Sequence, residues 1–229
     1  MICNKVLIGY QMSKRYNLLV FDWDGTIMDS LGHIVACVQH AAEQLELPKP
    51  NDKAIHQLIG LNLMEMFKRL YPDAEMSVLE YFHDHYMAHF LSLKMTDEHL
   101  YADVKATLAN LHKQGYVLAV ATGKGRRGLD AVLAETGLEQ FFTMTRTADE
   151  TASKPSPNML LEIMTETGME KSQTLMIGDS TYDLEMANNA EVDAVAVTCG
   201  TQCEETLTEY NPVVCLADIS KLPQWLEEN

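Results

Sequence analysis

Four aspartates stand directly after apolar runs. Asp22 and Asp24 follow Asn17-Leu18-Leu19-Val20-Phe21, and Asp179 with Asp183 follow the run that starts at Thr174. A third run, Tyr116 to Ala121, ends in Thr122-Gly123-Lys124, and the loop Lys154-Pro155-Ser156-Pro157 precedes a helical pattern. So many carboxylates cannot all stay ionised together without a cation. A hard divalent ion with oxygen ligands, Mg²⁺ before Ca²⁺, is the natural neutraliser, and it commonly recruits a substrate phosphate as a further ligand. Lys154 would add a positive charge. Thr122 offers a hydroxyl, and Gly123 lets backbone N–H groups come close to a phosphate. Pro155 favours extended backbone at Lys154, while Ser156 and Pro157 read as a helix cap and first helical residue.

These residues share one place only if the apolar runs are strands of one sheet. Leu18–Phe21 reads as a buried strand broken by the turn at Gly25. From about Tyr101 onward, helices alternate with strands. Helices are expected at 103–114, 126–136, 157–167 and 181–190, with a closing helix from Asp218. Strands are expected at 116–121, 141–144, 174–177, 192–197 and 213–216. That alternation means βαβ units and a parallel sheet covered on both faces. Residues 30–97 instead read as helices only, at 31–45, 52–59, 62–70 and 76–93, with Ser30 as an N-cap. The expected architecture is therefore α/β: a Rossmann-like parallel-sheet core (12–29 and 98–229) with an inserted all-helical cap domain (30–97). Residues 1–11 form an extension without functional weight, Met12 being an alternative start. Ligands in such sheets bind beyond the carboxyl ends of the strands, which is where the singled-out residues fall.

Thirty-three Asp+Glu against 17 Lys+Arg leave a net charge of −16 over 229 residues. That balance disfavours nucleic acid, which needs a basic footprint, and anionic lipid. No run approaches the ~20 apolar residues of a membrane span. The five cysteines (Cys3, Cys37, Cys199, Cys203, Cys215) form no Cys-x-x-Cys, a usage that suits a reducing compartment. The expectation is a cytoplasmic monomer, with a dimer as the alternative.

Asp22-x-Asp24-Gly25-Thr26, Thr122 after its strand, Lys154-Pro155-x-Pro157 and Gly178-Asp179-x-x-x-Asp183 resemble, in order and spacing, the four motifs of the haloacid dehalogenase superfamily. The likeness spans roughly Asn17 to Leu216 and is nearest to the phosphoglycolate-phosphatase-like branch with a helical cap. The resemblance implies Asp22 as a nucleophile that becomes an aspartyl phosphate, and Asp24 as acid and then base. It implies phosphate binding by Thr122, Gly123 and Lys154. Mg²⁺ would be held by Asp22, the Asp24 backbone carbonyl and Asp179, with Asp183 as a further ligand. The carboxylate at Asp24 points to phosphate esters, because dehalogenases and phosphonatases of this kind lack it. The implied activity is a Mg²⁺-dependent phosphatase acting on a small phosphorylated metabolite, phosphoglycolate first. Alternatives are a nucleotide or pyrophosphate phosphohydrolase, a mutase of the β-phosphoglucomutase type and, remotely, a phospho-accepting signalling domain. Trp23 departs from the usual pattern, and its indole could narrow the entrance.

Other residues carry weaker signals. His83, His85 and His89 have metal-ligand spacing but flank an apolar stripe, so solvated surface histidines are expected. Lys124, Arg126 and Arg127 could reach an anionic substrate. Met64 and Met66 could line a pocket, though gap-filling is the commoner use of methionine.

Overall fold

The structure, a computed structural model, describes residues 14–229. The extension 1–11, the alternative start Met12 and Cys3 lie outside the described residues. Six parallel strands form one sheet: β1 (Leu18–Phe21), β2 (Val117–Thr122), β3 (Met144–Thr147), β4 (Thr174–Gly178), β5 (Asp193–Val197) and β6 (Val214–Leu216). Their order is β3-β2-β1-β4-β5-β6, so the direction of winding reverses between β1 and β4. Leu19 and Phe21 join Leu118, Val120, Leu175 and Ile177 in the core on one face. Leu18 and Val20 join Ala119, Ala121 and Met176 on the other. Both faces are buried, which is why these strands read as unbroken apolar runs rather than alternating ones.

The helices are α1 (Leu31–Gln44), α2 (Asp52–His56), α3 (Leu63–Leu70), α4 (Met76–Ser92), α5 (Val104–Lys113), α6 (Arg126–Thr136), α7 (Asn158–Thr167), α8 (Thr181–Ala190), α9 (Glu204–Thr208) and α10 (Leu222–Glu228). Between β1 and α5 the helices α1–α4 have a core of their own, with Ile34, Val38, Ile55, Phe67 and Phe82 buried together. Phe82 has no exposed surface, and its ring lies 5.0 Å from Phe67 and 6.1 Å from Tyr71. No helix among the described residues is long and apolar enough to cross a membrane.

Four local features differ from expectation. The strand expected at 141–144 lies at 144–147, because Glu139–Phe141 is a 3₁₀ turn and Phe142 packs edge-on against Phe21 at 6.4 Å. The apolarity of Phe141-Phe142 thus serves packing at a strand's entrance. Helix α9 was not expected, since Leu207 is its only buried residue and so short a segment shows no period. Ser30 precedes α1 but makes no side-chain cap, and Pro157, not Ser156, occupies the N-cap position of α7.

Truncating Phe82 to Ala should cost about 3–5 kcal/mol, the usual cost of removing a buried aromatic ring. Urea unfolding followed by circular dichroism measures this; a loss below about 1 kcal/mol would contradict its central place among α1–α4.

Candidate active site

The site grows from the point where β1 and β4 end side by side. The Asp22 N–H donates to the Ile177 carbonyl at 2.9 Å, which carries the strand pairing one residue past β1. The chain then turns sharply: the Trp23 carbonyl accepts from the N–H groups of Thr26, Ile27 and Met28. Gly25 has φ +87°, and a Cβ there would stand 2.3 Å from Asp179 Oδ2, so both conformation and space require glycine. Trp23 is buried against Phe142, with its indole N–H unpartnered among the described residues. It does not line the cavity, which corrects the expectation that it narrows the entrance.

Asp179 is the first residue after β4. Its Oδ1 accepts the Thr26 hydroxyl at 3.0 Å, and its Oδ2 accepts the Thr201 N–H at 2.7 Å and hydroxyl at 2.8 Å. A Cβ at Gly200 would meet Asp179 Oδ2 at 2.1 Å, so the 200–201 loop closes directly onto this carboxylate. Asp183 sits in the first turn of α8. Its Oδ2 accepts the Ser180 N–H at 3.1 Å and hydroxyl at 2.7 Å, while its Oδ1 faces the Lys154 ammonium at 2.6 Å. The same ammonium is 2.5 Å from Asp22 Oδ1 and has no exposed surface.

Oxygens of Asp22, Asp179 and Asp183 lie within 4.8 Å of one another, the one such cluster of potential metal ligands among the described residues. The histidine string is not part of it, and His89 stacks on His40 instead. Burial pushes the Asp22 carboxyl well above the ordinary range; the charges of Asp183 and Asp179 add to this, and Lys154 opposes it. Burial, with the Asp183 charge, raises Asp179 to about 6 against the hydrogen bonds from Thr201 and Thr26. Burial pulls Lys154 down, but Asp183 and Asp22 outweigh it and hold the ammonium above its ordinary value. One lysine among three buried carboxylates leaves the cluster over-negative, and oxygen donors in surplus suit a hard divalent cation.

Asp24 points elsewhere. Its Oδ1 accepts the Ser30 hydroxyl at 2.5 Å and faces Lys124 Nζ at 3.0 Å. Thr122 Oγ1 accepts the Lys124 N–H at 3.2 Å, which leaves its proton free to donate. A Cβ at Gly123 would stand 2.4 Å from the Gly60 carbonyl, so this loop touches the turn after α2. Above lies a cavity of about 240 Å³ whose floor includes Asp22, Asp24, Thr122, Gly123 and Lys124. Met64 and Met66 both line it, so they do more than fill gaps. Arg126 and Arg127 do not. Arg126 is held by Glu150, Asp130 and Thr145, and Arg127 is exposed, which corrects their expected reach to substrate. From sequence, Ser30 reads only as a helix cap and Thr26 only as part of the Asp22 motif, and Gly200 and Thr201 have no role, although residues 198–201 directly follow β5 and obey the same strand-end rule.

The chain matches the model of the haloacid dehalogenase-like hydrolase family over residues 19–197. It is 34% identical to a protein of Dickeya dadantii named "Probable phosphatase IndB", covering 90% of this chain and 91% of that one. It is 30% identical to "Pyrophosphatase PpaX" of Halalkalibacterium halodurans, covering 90% and 94%. It is also 30% identical to a "Phosphoglycolate phosphatase" of Haemophilus influenzae, covering 92% and 98%.

Replacing Lys154 with Met would leave Asp22 and Asp183 facing each other without their cation. Breaking one partner out of a buried pair costs about 3–5 kcal/mol. The Asp22 carboxyl, already raised by burial, would then hold its proton still more tightly in the fold than in the unfolded chain, which ionises above about pH 4. The penalty relative to wild type should therefore grow as pH rises from 5 to 7 and shrink as it falls. Urea titrations of the metal-free proteins at both pH values measure it, and a pH-independent penalty would contradict the arrangement.

Proposed function

The chain belongs to the haloacid dehalogenase-like hydrolase family and is a phosphatase of that family, and from that premise we propose that it hydrolyses a small phosphorylated metabolite through a phosphoaspartate at Asp22. The observation that carries this reading is the convergence of Asp22, Lys154, Asp179 and Asp183 at one strand end, beneath a cavity whose floor also holds Asp24 and Thr122.

In this reading the Asp22 carboxylate attacks phosphorus, and the bond to the leaving oxygen breaks as Asp24 supplies that oxygen with a proton. Asp24 then takes a proton from water, which attacks the phosphoaspartate and returns Asp22 and inorganic phosphate. Two displacements through a carboxylate replace one difficult attack by water. Ser30 holds the Asp24 carboxyl in place through both steps. Lys154, the Thr122 hydroxyl and the backbone at Gly123 hold the phosphoryl oxygens. Asp22, the Asp24 carbonyl and Asp179 would hold Mg²⁺, with Asp183 as a further ligand that also positions Lys154. When bound, the ion draws off negative charge from the phosphoryl group and fixes its orientation. Helices α1–α4 serve as a cap over the chemistry, and the setting is a monomer in the cytoplasm, where the free Cys37, Cys199, Cys203 and Cys215 are at home. By sequence resemblance and the names of relatives such as that of Haemophilus influenzae alone, phosphoglycolate would stand first among candidate substrates.

Chelation should abolish phosphate release and Mg²⁺ should restore it, with Ca²⁺ a poor substitute because its longer, irregular coordination misplaces Asp22. Full activity in excess chelator would remove the metal from the account.

Asp24→Asn separates the two steps. Phosphoenzyme formation from an alkyl phosphate should slow by about 10²–10⁴-fold, the usual worth of general acid catalysis. Nitrophenyl phosphate, whose leaving group departs as the anion, should suffer much less. The phosphoenzyme should then accumulate and give a burst of nitrophenolate stoichiometric with enzyme on rapid mixing. Equal losses for both substrates without a burst would make Asp24 a structural residue.

A further inference from the structure

Beyond the phosphate position the cavity is apolar. Its roof is formed by Ile59, Leu61, Met64, Met66, Tyr86 and Phe90, from α3, α4 and the turn after α2. Lys124 is the only lysine or arginine among its described lining residues, and it is already engaged: its ammonium lies 3.0 Å from Asp24 and 4.5 Å from the Phe90 ring centroid. His83, the other lining residue able to carry positive charge, is exposed at the cavity's edge beside Asp84. Asp149 adds a carboxylate to the same wall, where it accepts the Arg126 N–H. The remaining polar surface is small: the Asn62 N–H is taken by Ser153, and the Asn62 side-chain oxygen by the Glu65 N–H.

A second anionic group on the substrate would thus meet apolar side chains, one carboxylate and no unengaged lysine or arginine. Burying a charge without a partner is costly, whereas covering an apolar group contributes roughly 25 cal/mol per Å². From this lining we infer that the substrate is a phosphomonoester whose organic group is uncharged and partly apolar, no larger than a single ring with a short linker. The inference rests on the phosphatase reading, and it turns the choice of substrate away from phosphoglycolate and pyrophosphate, which each carry a second anion. Met64 and Met66 suit this role, since a flexible thioether adapts to a flat or branched group. Tyr86 and Phe90 stack at 6.2 Å with an 8° interplanar angle and present a smooth aromatic wall.

The test compares benzyl phosphate, n-butyl phosphate, phosphoglycolate and pyrophosphate with the Mg²⁺-loaded enzyme. The first three release primary alkoxides, so their intrinsic reactivities are alike enough for binding to decide. Benzyl and butyl phosphate should exceed phosphoglycolate in kcat/KM by at least about tenfold, the scale that one apolar contact gives. Met64→Lys, at a position 45% exposed and therefore tolerant of change, should shift that ratio toward phosphoglycolate. Calorimetry with benzylphosphonate and with 3-phosphonopropionate supplies a readout without turnover, and the first should bind more tightly. Preference for phosphoglycolate in turnover, tighter binding of 3-phosphonopropionate, or a preference for pyrophosphate beyond what its better leaving group accounts for would overturn the inference and leave the phosphatase reading intact. Hydrolysis of none of the four, nor of nitrophenyl phosphate, would overturn both.

Discussion

A single buried ammonium, that of Lys154, faces Asp22 and Asp183 at the carboxyl edge of the sheet, and the surrounding architecture is shaped by what that contact must offset. Strands β1 and β4 are neighbours in register, so the first residue past each is delivered to the same spot. Two like charges 4 Å apart repel by about 4 kcal/mol even in a well-screened protein environment. Lys154 offsets part of this, the N-terminus of α8 favours the negative charge of Asp183, and Thr26 and Thr201 donate to Asp179. Burial, with the repulsion that remains, shows as the raised proton affinity of Asp22 and Asp179. A cluster left short of positive charge in this way, with oxygen donors in surplus, suits a hard divalent cation.

The close approach also dictates residue types nearby. Gly25, Gly178 and Gly200 each stand where a Cβ would enter a carboxylate of the cluster. The carboxylate cluster and the roof of the cavity come from different parts of the chain. The carboxylates and Lys154 belong to the sheet edge, while the apolar roof belongs to helices with their own core. Lys124 joins the two, touching Asp24 below and the Phe90 ring above.

The strand-end rule needed only the positions of the apolar runs, and the structure brings the residues it picked out, Asp22, Thr122, Asp179 and Asp183, to one edge of the sheet, where Lys154 joins them from the loop before α7. It failed where one residue type serves two purposes. Ser30 before a helix looks like a cap, yet its hydroxyl goes to Asp24, a partner that only the turn at Gly25 brings near. Lys124 and Arg126 are two residues apart and equally basic; the start of α6 turns Arg126 toward Glu150 and leaves Lys124 on the cavity floor. Gly200 and Thr201 carry no charge to draw notice, although they follow β5 as Asp179 follows β4. The roof was least readable, since it assembles from α3, α4 and the turn after α2, whose packing no local pattern encodes.

In the proposed reaction a carboxylate oxygen of Asp22, held by Lys154 at the strand junction, forms the bond to phosphorus. The most direct test of this step is chemical trapping during turnover. The Mg²⁺-loaded enzyme is quenched in acid while consuming a phosphomonoester, reduced with borohydride, and sequenced as peptides, because reduction converts an acyl phosphate of aspartate into homoserine. The account predicts homoserine at position 22, dependent on substrate. An unmodified Asp22 during active turnover, with homoserine at another aspartate, would contradict it.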